Sequence, residues 1–150
     1  MVKGAYSPTL IYSAADLKEL SEYAYNLGVE IIYEVDVPGH AASWQAGKPD
    51  LLADCIAKYG YNINNLALNP TLDETYTVLG SILNDIIAAT GTSTMHLGGD
   101  EVVYGCWRAD PTIVNFMSDK GWTDYDQLMN YFVLKADEIA RNSISNNQTN

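Results

Sequence analysis

Basic residues are scarce in this 150-residue chain, where 8 Lys and Arg stand against 19 Asp and Glu and the net charge is −11. A surface this acidic repels phosphate groups, so we expect no nucleic acid partner and no docking on an anionic membrane. Apolar runs are also short. None approaches the about 18 residues of a transmembrane helix, and the N-terminal segment has no apolar stretch of signal-peptide length. We therefore expect no membrane insertion.

Cysteine is almost absent, because Cys55 and Cys106 are the only two in the sequence. Their wide separation fits neither a CxxC redox pair nor a zinc finger. The residues alone therefore leave two alternatives open, a pair of buried thiols and a single disulfide bond.

Hydrophobic residues are plentiful at 47% and include 11 Tyr and 3 Trp, which is enough to bury the core of one domain. Apolar periodicity, capping residues and Gly or Pro stops predict the following segments: a helix from Ser13 to Gly28, a strand at 29–35, a long connection at 41–70, a helix from a capping box at Thr71 to Gly91, a strand at 94–97, a helix from Asp110 to Gly121, a helix capped by Thr123, and a disordered polar tail at 143–150. This alternation predicts an α/β fold with a parallel sheet.

The carboxyl ends of the two predicted strands carry the most informative residues. The first strand runs into DVPGH at 36–40, and the second runs into GGDE at 98–101. Two consecutive strands joined by a crossover helix run parallel, so their carboxyl ends meet on one rim. Ligands bind at that rim in α/β proteins. We therefore expect both segments to face one pocket.

The Gly98-Gly99 pair gives the two acids that follow it an unusual setting. Glycines let the backbone approach a ligand and bend, so that Asp100 and Glu101 can both reach one cavity. Two close carboxylates repel, and partial burial disfavours their charged form, so we expect one pKa to rise. One acid would then be protonated and the other ionised, as general acid catalysis at a glycosidic oxygen requires.

Other candidate residues are open to functional and structural interpretations. His40 follows Pro-Gly at the rim and is as readily a functional group as a loop histidine bonded to backbone. Asp36 is equally open to a functional or a framework role. His96 lies inside the strand pattern, which favours a packed, hydrogen-bonded core histidine. Trp44 and Trp107 have the chemistry to stack on a sugar, but burial near the site is the commoner role.

Several of these segments resemble blocks of a known enzyme family. HLGGDE at 96–101 is similar to the catalytic signature of the family 20 glycoside hydrolases, the β-N-acetylhexosaminidases, and VDVPGH at 35–40 resembles a second block. Further blocks follow the family's order and spacing: YSP at 6–8, YS at 12–13, GKPDLL at 47–52, LNPT at 68–71 and CW at 106–107. The similarity runs from about Ala5 to Asn142 and is closest to the lysosomal and secreted eukaryotic members.

The family's catalytic domain is a (β/α)8 TIM barrel, for which about 250 residues are typical. The resemblance therefore implies that residues 1–150 are an internal fragment of that barrel, holding about strands 3 and 4 with their helices. It places other site residues outside this chain. Upstream lie a substrate-gripping Arg and an Asp that pairs with the histidine at position 40, and downstream lie Trp residues around the N-acetyl group.

The resemblance implies hydrolysis of terminal non-reducing N-acetyl-D-hexosamine residues in β-N-acetylhexosaminides, by a retaining, substrate-assisted mechanism. Glu101 would be the general acid and base, and Asp100 would orient the 2-acetamido group. His40 would hydrogen-bond Glu101, and Asp36 and Trp107 would support the site. The family needs no metal and no cofactor. We expect the isolated fragment to be inactive.

The family also bears on the cysteines, because it implies a Cys55–Cys106 disulfide. Such a bond requires an oxidising compartment, so we expect a lysosomal or secreted protein. The expected partners are glycans or glycoconjugates that end in N-acetylglucosamine or N-acetylgalactosamine. A dimer of the parent protein is a further expectation.

Two other classes of function compete with this one. A metal-dependent hydrolase would use His40, His96, Asp100 and Glu101 as ligands, but the spacing from His96 to Asp100 suits a helix better than a strand followed by Gly-Gly. A non-catalytic carbohydrate-binding or interaction fragment is the stronger rival. A sector of a barrel lacks much of its pocket and exposes strand edges.

Overall fold

The computed structural model describes residues 2–148, in which helices surround a short two-stranded sheet. The elements, in chain order, are α1 (Ala14–Asn26), β1 (Tyr33–Glu34), α2 (Ile56–Tyr59), α3 (Asp73–Thr90), β2 (Met95–His96), α4 (Tyr104–Ala109), α5 (Pro111–Asp119) and α6 (Tyr125–Gln148). Short 3-10 turns lie at Val2–Gly4, Ala42–Ala46, Pro49–Leu51 and Ile63–Asn65. Each strand is followed by helix, which is the repeating unit of an α/β barrel.

The two strands pair in parallel, with Glu34 opposite His96. The pairing continues beyond the strands, where the amide of Val35 donates to the carbonyl of His96 at 2.9 Å and the amide of Val37 donates to the carbonyl of Leu97 at 3.2 Å. The predicted parallel arrangement is confirmed. It brings the chain segments that follow β1 and β2 to the same edge of the sheet.

The strands are shorter than the sequence predicts. Ahead of β2 the chain makes a local turn, in which the Thr92 hydroxyl donates to the Thr94 carbonyl at 2.9 Å and accepts the Thr94 amide at 3.1 Å. Because β2 begins only after this turn, residues 29–32 of the predicted strand have no ladder partner among the described residues. The apolar character of 29–35 therefore extends further than its pairing.

Local side-chain bonds cap the first turns of α1 and α5. Ser13 starts α1 through a capping box, and Asp110 caps α5 with Pro111 in its first turn, as the sequence predicts. The capping box predicted at Thr71 is wrong. The Thr71 hydroxyl donates instead to Asn69 Oδ1 at 2.7 Å, and α3 begins without a side-chain cap.

Helix α6 differs from its prediction at both ends. At its start, Asp124 rather than Thr123 supplies the capping oxygen, which accepts a backbone amide two residues further on at 3.0 Å. Near its end, Ser143 is buried and Ile144 packs against the core. The segment predicted as a disordered tail at 143–150 is therefore helical as far as residue 148, and residues 149–150 lie outside the described part of the chain.

Helices α3 and α6 pack together in the core through residues such as Leu79 and Leu83 of α3 and Leu128 and Phe132 of α6. The connection at 41–70 contributes further buried residues to the same core. In α1, by contrast, Ala24 is the one residue that is buried. None of the helices in the described range is both long and apolar enough to cross a membrane.

The long connection at 41–70 is fastened to α4, a helix that the sequence did not predict. A disulfide joins Cys55 in the connection to Cys106 in α4, so the bond implied by the family resemblance is confirmed. At the next residue of α4, the indole N–H of Trp107 donates to the carbonyl of Leu68 at 3.0 Å. Both contacts fix the connection against the segment that directly follows β2.

Asp110 is a second anchor for this connection and is 2% exposed. Its carboxylate accepts the amide of Asp54 at 2.9 Å, the Asn69 side-chain amide at 3.2 Å and the amide of Thr112 at 2.8 Å. Burial raises the pKa of Asp110, but its hydrogen bonds outweigh burial and hold the pKa below its ordinary value. One carboxylate thus joins two parts of the connection to the start of α5.

We expect Asp110→Ala to destabilise the protein by about 1–3 kcal/mol, because it leaves buried donors without an acceptor. Urea unfolding of the full-length protein that carries this chain measures the loss. Asp119→Ala is the matched control, since Asp119 is exposed at the end of the same helix. Equal stability of the two variants would contradict an anchoring role for Asp110.

Candidate active site

The segments that follow β1 and β2 meet at Asp36. Its Oδ2 lies 2.6 Å from His40 Nδ1, within the first segment. Its Oδ1 accepts the backbone amide of Gly99 at 2.9 Å, across the rim. The two segments that the sequence predicts to converge are thus joined through one carboxylate.

The environment of Asp36 favours its ionised form. Partial burial raises the pKa of Asp36, but hydrogen bonds from His40 and from the backbone amides of Gly99 and Asp100, together with the charge of His40, hold that pKa below its ordinary value. Asp36 therefore remains an acceptor over the pH range in which most proteins work.

Two glycines allow this close approach. Gly98 has φ +64°, in the left-handed region, and a Cβ added there would overlap the Asp36 carboxylate. At Gly39 an added Cβ would lie 2.9 Å from the carbonyl oxygen of Asp100. Because neither glycine has a side chain, the backbone at Gly98 can approach the Asp36 carboxylate, and the backbone at Gly39 can approach the Asp100 carbonyl group.

The two residues that face each other across the rim both have left-handed backbone. His40 has φ 52° and Glu101 has φ 50°, a conformation that is uncommon outside glycine and often marks functional sites. His40 Nε2 lies 3.7 Å from Glu101 Oε2. That separation is longer than a hydrogen bond, although catalytic contacts often tighten when substrate binds.

His40 is held in an acidic environment. The hydrogen bond to Asp36 raises the pKa of His40, slight burial opposes it, and the charges of Asp36, Glu101 and Asp100 raise it further. The imidazole therefore carries a proton to higher pH than an isolated histidine.

The candidate acids lie in the open. The Glu101 side chain is 85% exposed and Asp100 is also exposed. The partial burial of these acids that the sequence predicts is therefore not present within the described chain. An open cavity exists at the opposite end of the strands, between the last turn of α1 and residues 90–93, and includes none of the candidate residues.

Three further candidates differ from or refine their predictions. His96 is not a core histidine, because its side chain is 59% exposed, with Nδ1 accepting the Gly98 amide at 3.1 Å. The two-stranded sheet leaves that face uncovered. Trp44 and Trp107 are buried, and Trp107 has no exposed surface with which to stack on a sugar. Its contacts are those of a buried side chain that also holds the connection at 41–70 through its hydrogen bond to Leu68.

One group of possible metal ligands occurs among the described residues. Oxygen atoms of Glu34, Asp36 and Asp100 lie within 4.8 Å of one another. This group includes Asp100 but not His40, His96 or Glu101, the other three ligands expected of a metal-dependent hydrolase. Sequence reasoning missed Glu34, although its position two residues before Asp36 places both side chains on the same side of the strand.

A pair of acids at the carboxyl ends of parallel strands that are followed by helices is the arrangement of hydrolases built on α/β barrels. The chain belongs to glycosyl hydrolase family 20, whose catalytic-domain model matches residues 1–148.

Individual relatives agree with the family. The chain is 40% identical over 132 residues to beta-hexosaminidase subunit alpha of Rattus norvegicus and 36% identical over 138 residues to beta-hexosaminidase subunit beta of Homo sapiens. These alignments cover 87% and 91% of this chain but only 25% of each relative. A solved GH20 exo-beta-N-acetylglucosaminidase from Vibrio harveyi, in complex with N-acetylglucosamine, has a TM-score of 0.77 at 28% identity, covering 89% of this chain and 21% of that one.

Gly98→Ala should destabilise the full-length protein more than Gly91→Ala does. Both glycines have left-handed backbone, with φ +64° and φ +69°, so each alanine costs about 1–2 kcal/mol of conformational energy. Only at Gly98 would the new methyl group also displace the Asp36 carboxylate, since nothing lies within 4 Å at Gly91. Urea unfolding measures both losses, and equal values would contradict the close packing at Gly98.

Proposed function

We propose that this chain is part of the catalytic domain of a β-N-acetylhexosaminidase, which hydrolyses terminal non-reducing N-acetylhexosamine residues. The observation that carries the proposal is the meeting of Asp36, His40, Asp100 and Glu101 at one rim of a family 20 chain. The names of the relatives support the same substrate class.

Glu101 is the general acid in this proposal. It protonates the glycosidic oxygen as the bond to the anomeric carbon breaks, and its carboxylate later takes a proton from the attacking water. Residue 101 has left-handed backbone, and its Oε2 lies 3.7 Å from His40 Nε2.

The substrate supplies its own nucleophile. Its 2-acetamido oxygen attacks the anomeric carbon as the leaving group departs, which gives an oxazolinium-like intermediate that water opens with retention of configuration. Asp100 orients the acetamido N–H and stabilises the positive charge that develops on it. The amide of Gly99, held by Asp36, fixes the backbone immediately before Asp100.

We place β1 and β2 as about the third and fourth strands of a (β/α)8 barrel, with residues 1–150 as one part of it. Their parallel pairing and the much greater length of the relatives support this placement. The exposure of Tyr25, Leu27 and Ile32 also supports it, because neighbouring barrel elements would cover such apolar groups. The isolated chain is accordingly proposed to be inactive.

The Cys55–Cys106 disulfide supports a lysosomal or secreted location, where such bonds persist. The proposed substrates are glycans or glycoconjugates that end in N-acetylglucosamine or N-acetylgalactosamine. A dimer of the parent protein is proposed on the subunit names of the relatives alone.

Glu101→Gln tests the acid. In the full-length protein we expect it to lower the release of an alkyl alcohol from an alkyl β-N-acetylglucosaminide by about 10²–10⁴-fold, the range for general acid–base catalysis. Glu138→Gln is the matched control, because Glu138 is exposed on α6 and should leave turnover unchanged. Near wild-type turnover by Glu101→Gln would refute the assignment of the acid.

Asp100→Ala tests the orienting role. We expect kcat on an aryl β-N-acetylglucosaminide to fall by about 10²–10³-fold, as when one preorganised polar group is lost. Asp85→Ala, on the exposed side of α3, is the control for loss of a single negative charge. An unchanged kcat in the Asp100 variant would show that the acetamido group is oriented by other residues.

A further inference from the structure

We infer that Asp36 is a positioning residue that joins the two halves of the site, holding His40 with one carboxylate oxygen and the Gly99–Asp100 backbone with the other. The inference rests on the proposed function, because it assigns these halves to proton transfer and to acetamido orientation. It goes further in making one side chain responsible for both.

The first arm of Asp36, by which we mean the contact between its Oδ2 and His40, fixes the imidazole. A carboxylate can only accept hydrogen bonds, so the contact of 2.6 Å requires His40 Nδ1 to carry a proton. The other ring nitrogen, Nε2, is thereby left to face Glu101 at 3.7 Å. The family resemblance places a partner for His40 upstream of this chain, whereas here Asp36 supplies one from four residues away.

The second arm, by which we mean the contact between Asp36 Oδ1 and the Gly99 amide, fixes the backbone that carries Asp100. Asp36 Oδ1 accepts the Gly99 amide at 2.9 Å, and the Asp100 amide also bonds to this carboxylate. The absence of a side chain at Gly98 makes room for the contact. Loss of this arm would release the segment that positions Asp100, independently of His40.

The charge of Asp36 acts on His40 together with a defined set of neighbours. Asp100 and Glu101 face the imidazole from the segment after β2, and Glu34 of β1 lies beside Asp36. The charges of Asp36, Glu101 and Asp100 favour the protonated imidazole, and the hydrogen bond that His40 donates to Asp36 contributes most. Neutralising Asp36 should therefore move the titration of His40 to lower pH.

Asp36→Asn separates the two arms, because the amide oxygen can still accept from Gly99 while the charge beside His40 is lost. In the full-length enzyme we expect Asp36→Asn to lower kcat on methyl β-N-acetylglucosaminide at least about 10-fold more than it lowers kcat on the dinitrophenyl glycoside. The reason is that methanol must be protonated as it leaves, whereas the acidic dinitrophenol needs little protonation. Asp36→Ala, which removes both arms, should also slow the dinitrophenyl glycoside. Glu30→Gln removes one exposed charge near the opposite end of β1 and should change neither rate.

The pH profile gives a second readout that a purely structural role would not move. The limb of kcat/KM that disappears in His40→Asn should lie at lower pH in Asp36→Asn than in wild type. Equal losses on both glycosides, with that limb unmoved, would overturn the inference.

A titration that does not depend on turnover separates this inference from the proposed function. The imidazole ¹⁵N signal of His40, assigned by its absence from His40→Asn, should titrate at lower pH in Asp36→Asn and at the wild-type pH in Glu30→Gln. If the wild-type protein hydrolyses neither glycoside, the proposed function is wrong, and this titration still decides whether Asp36 holds His40. An unshifted signal would refute the positioning role.

Discussion

The parallel pairing of β1 with β2 is the constraint on which the site depends. The ladder is only two residues long, yet it continues through backbone bonds from Val35 to His96 and from Val37 to Leu97. These bonds carry the register up to the residue before Gly98, so the two loop segments leave the sheet side by side. Asp36 can then reach the Gly99 amide, although the two lie far apart in sequence.

The segment that bears the acids is restrained from both directions. Before Asp100, the Gly99 amide is held by Asp36. After Glu101, the chain enters α4, where Cys106 is bonded to Cys55 and Trp107 is buried. The exposed side chains of Asp100 and Glu101 are therefore carried by a backbone segment that is restrained at both ends, as a preorganised site requires.

Features set by neighbouring residues in sequence could be predicted, whereas those set by surroundings could not. Local patterns identified the cap at Ser13, the Asp110-Pro111 start of α5 and the parallel order of the strands. Topology alone then predicted that the Asp36 and Asp100 segments would meet. The exposure of His96 was missed, because an apolar pattern shows which residues favour burial but not what covers them. The hydrogen bonds from Thr71 to Asn69 and from the Gly99 amide to Asp36 were missed, because a donor in the sequence has several possible acceptors and the sequence does not show which one lies within reach.

The left-handed backbone at His40 and Glu101 implies a conflict between catalytic turnover and the stability of the fold. Glycine or asparagine satisfies such angles with less conformational energy than histidine or glutamate does. A library randomised at both positions and selected only for heat resistance should therefore drift toward those smaller residues and lose turnover. Selection for turnover would restore histidine and glutamate at these two positions. The residues found there therefore show whether a sequence has been selected for heat resistance or for turnover.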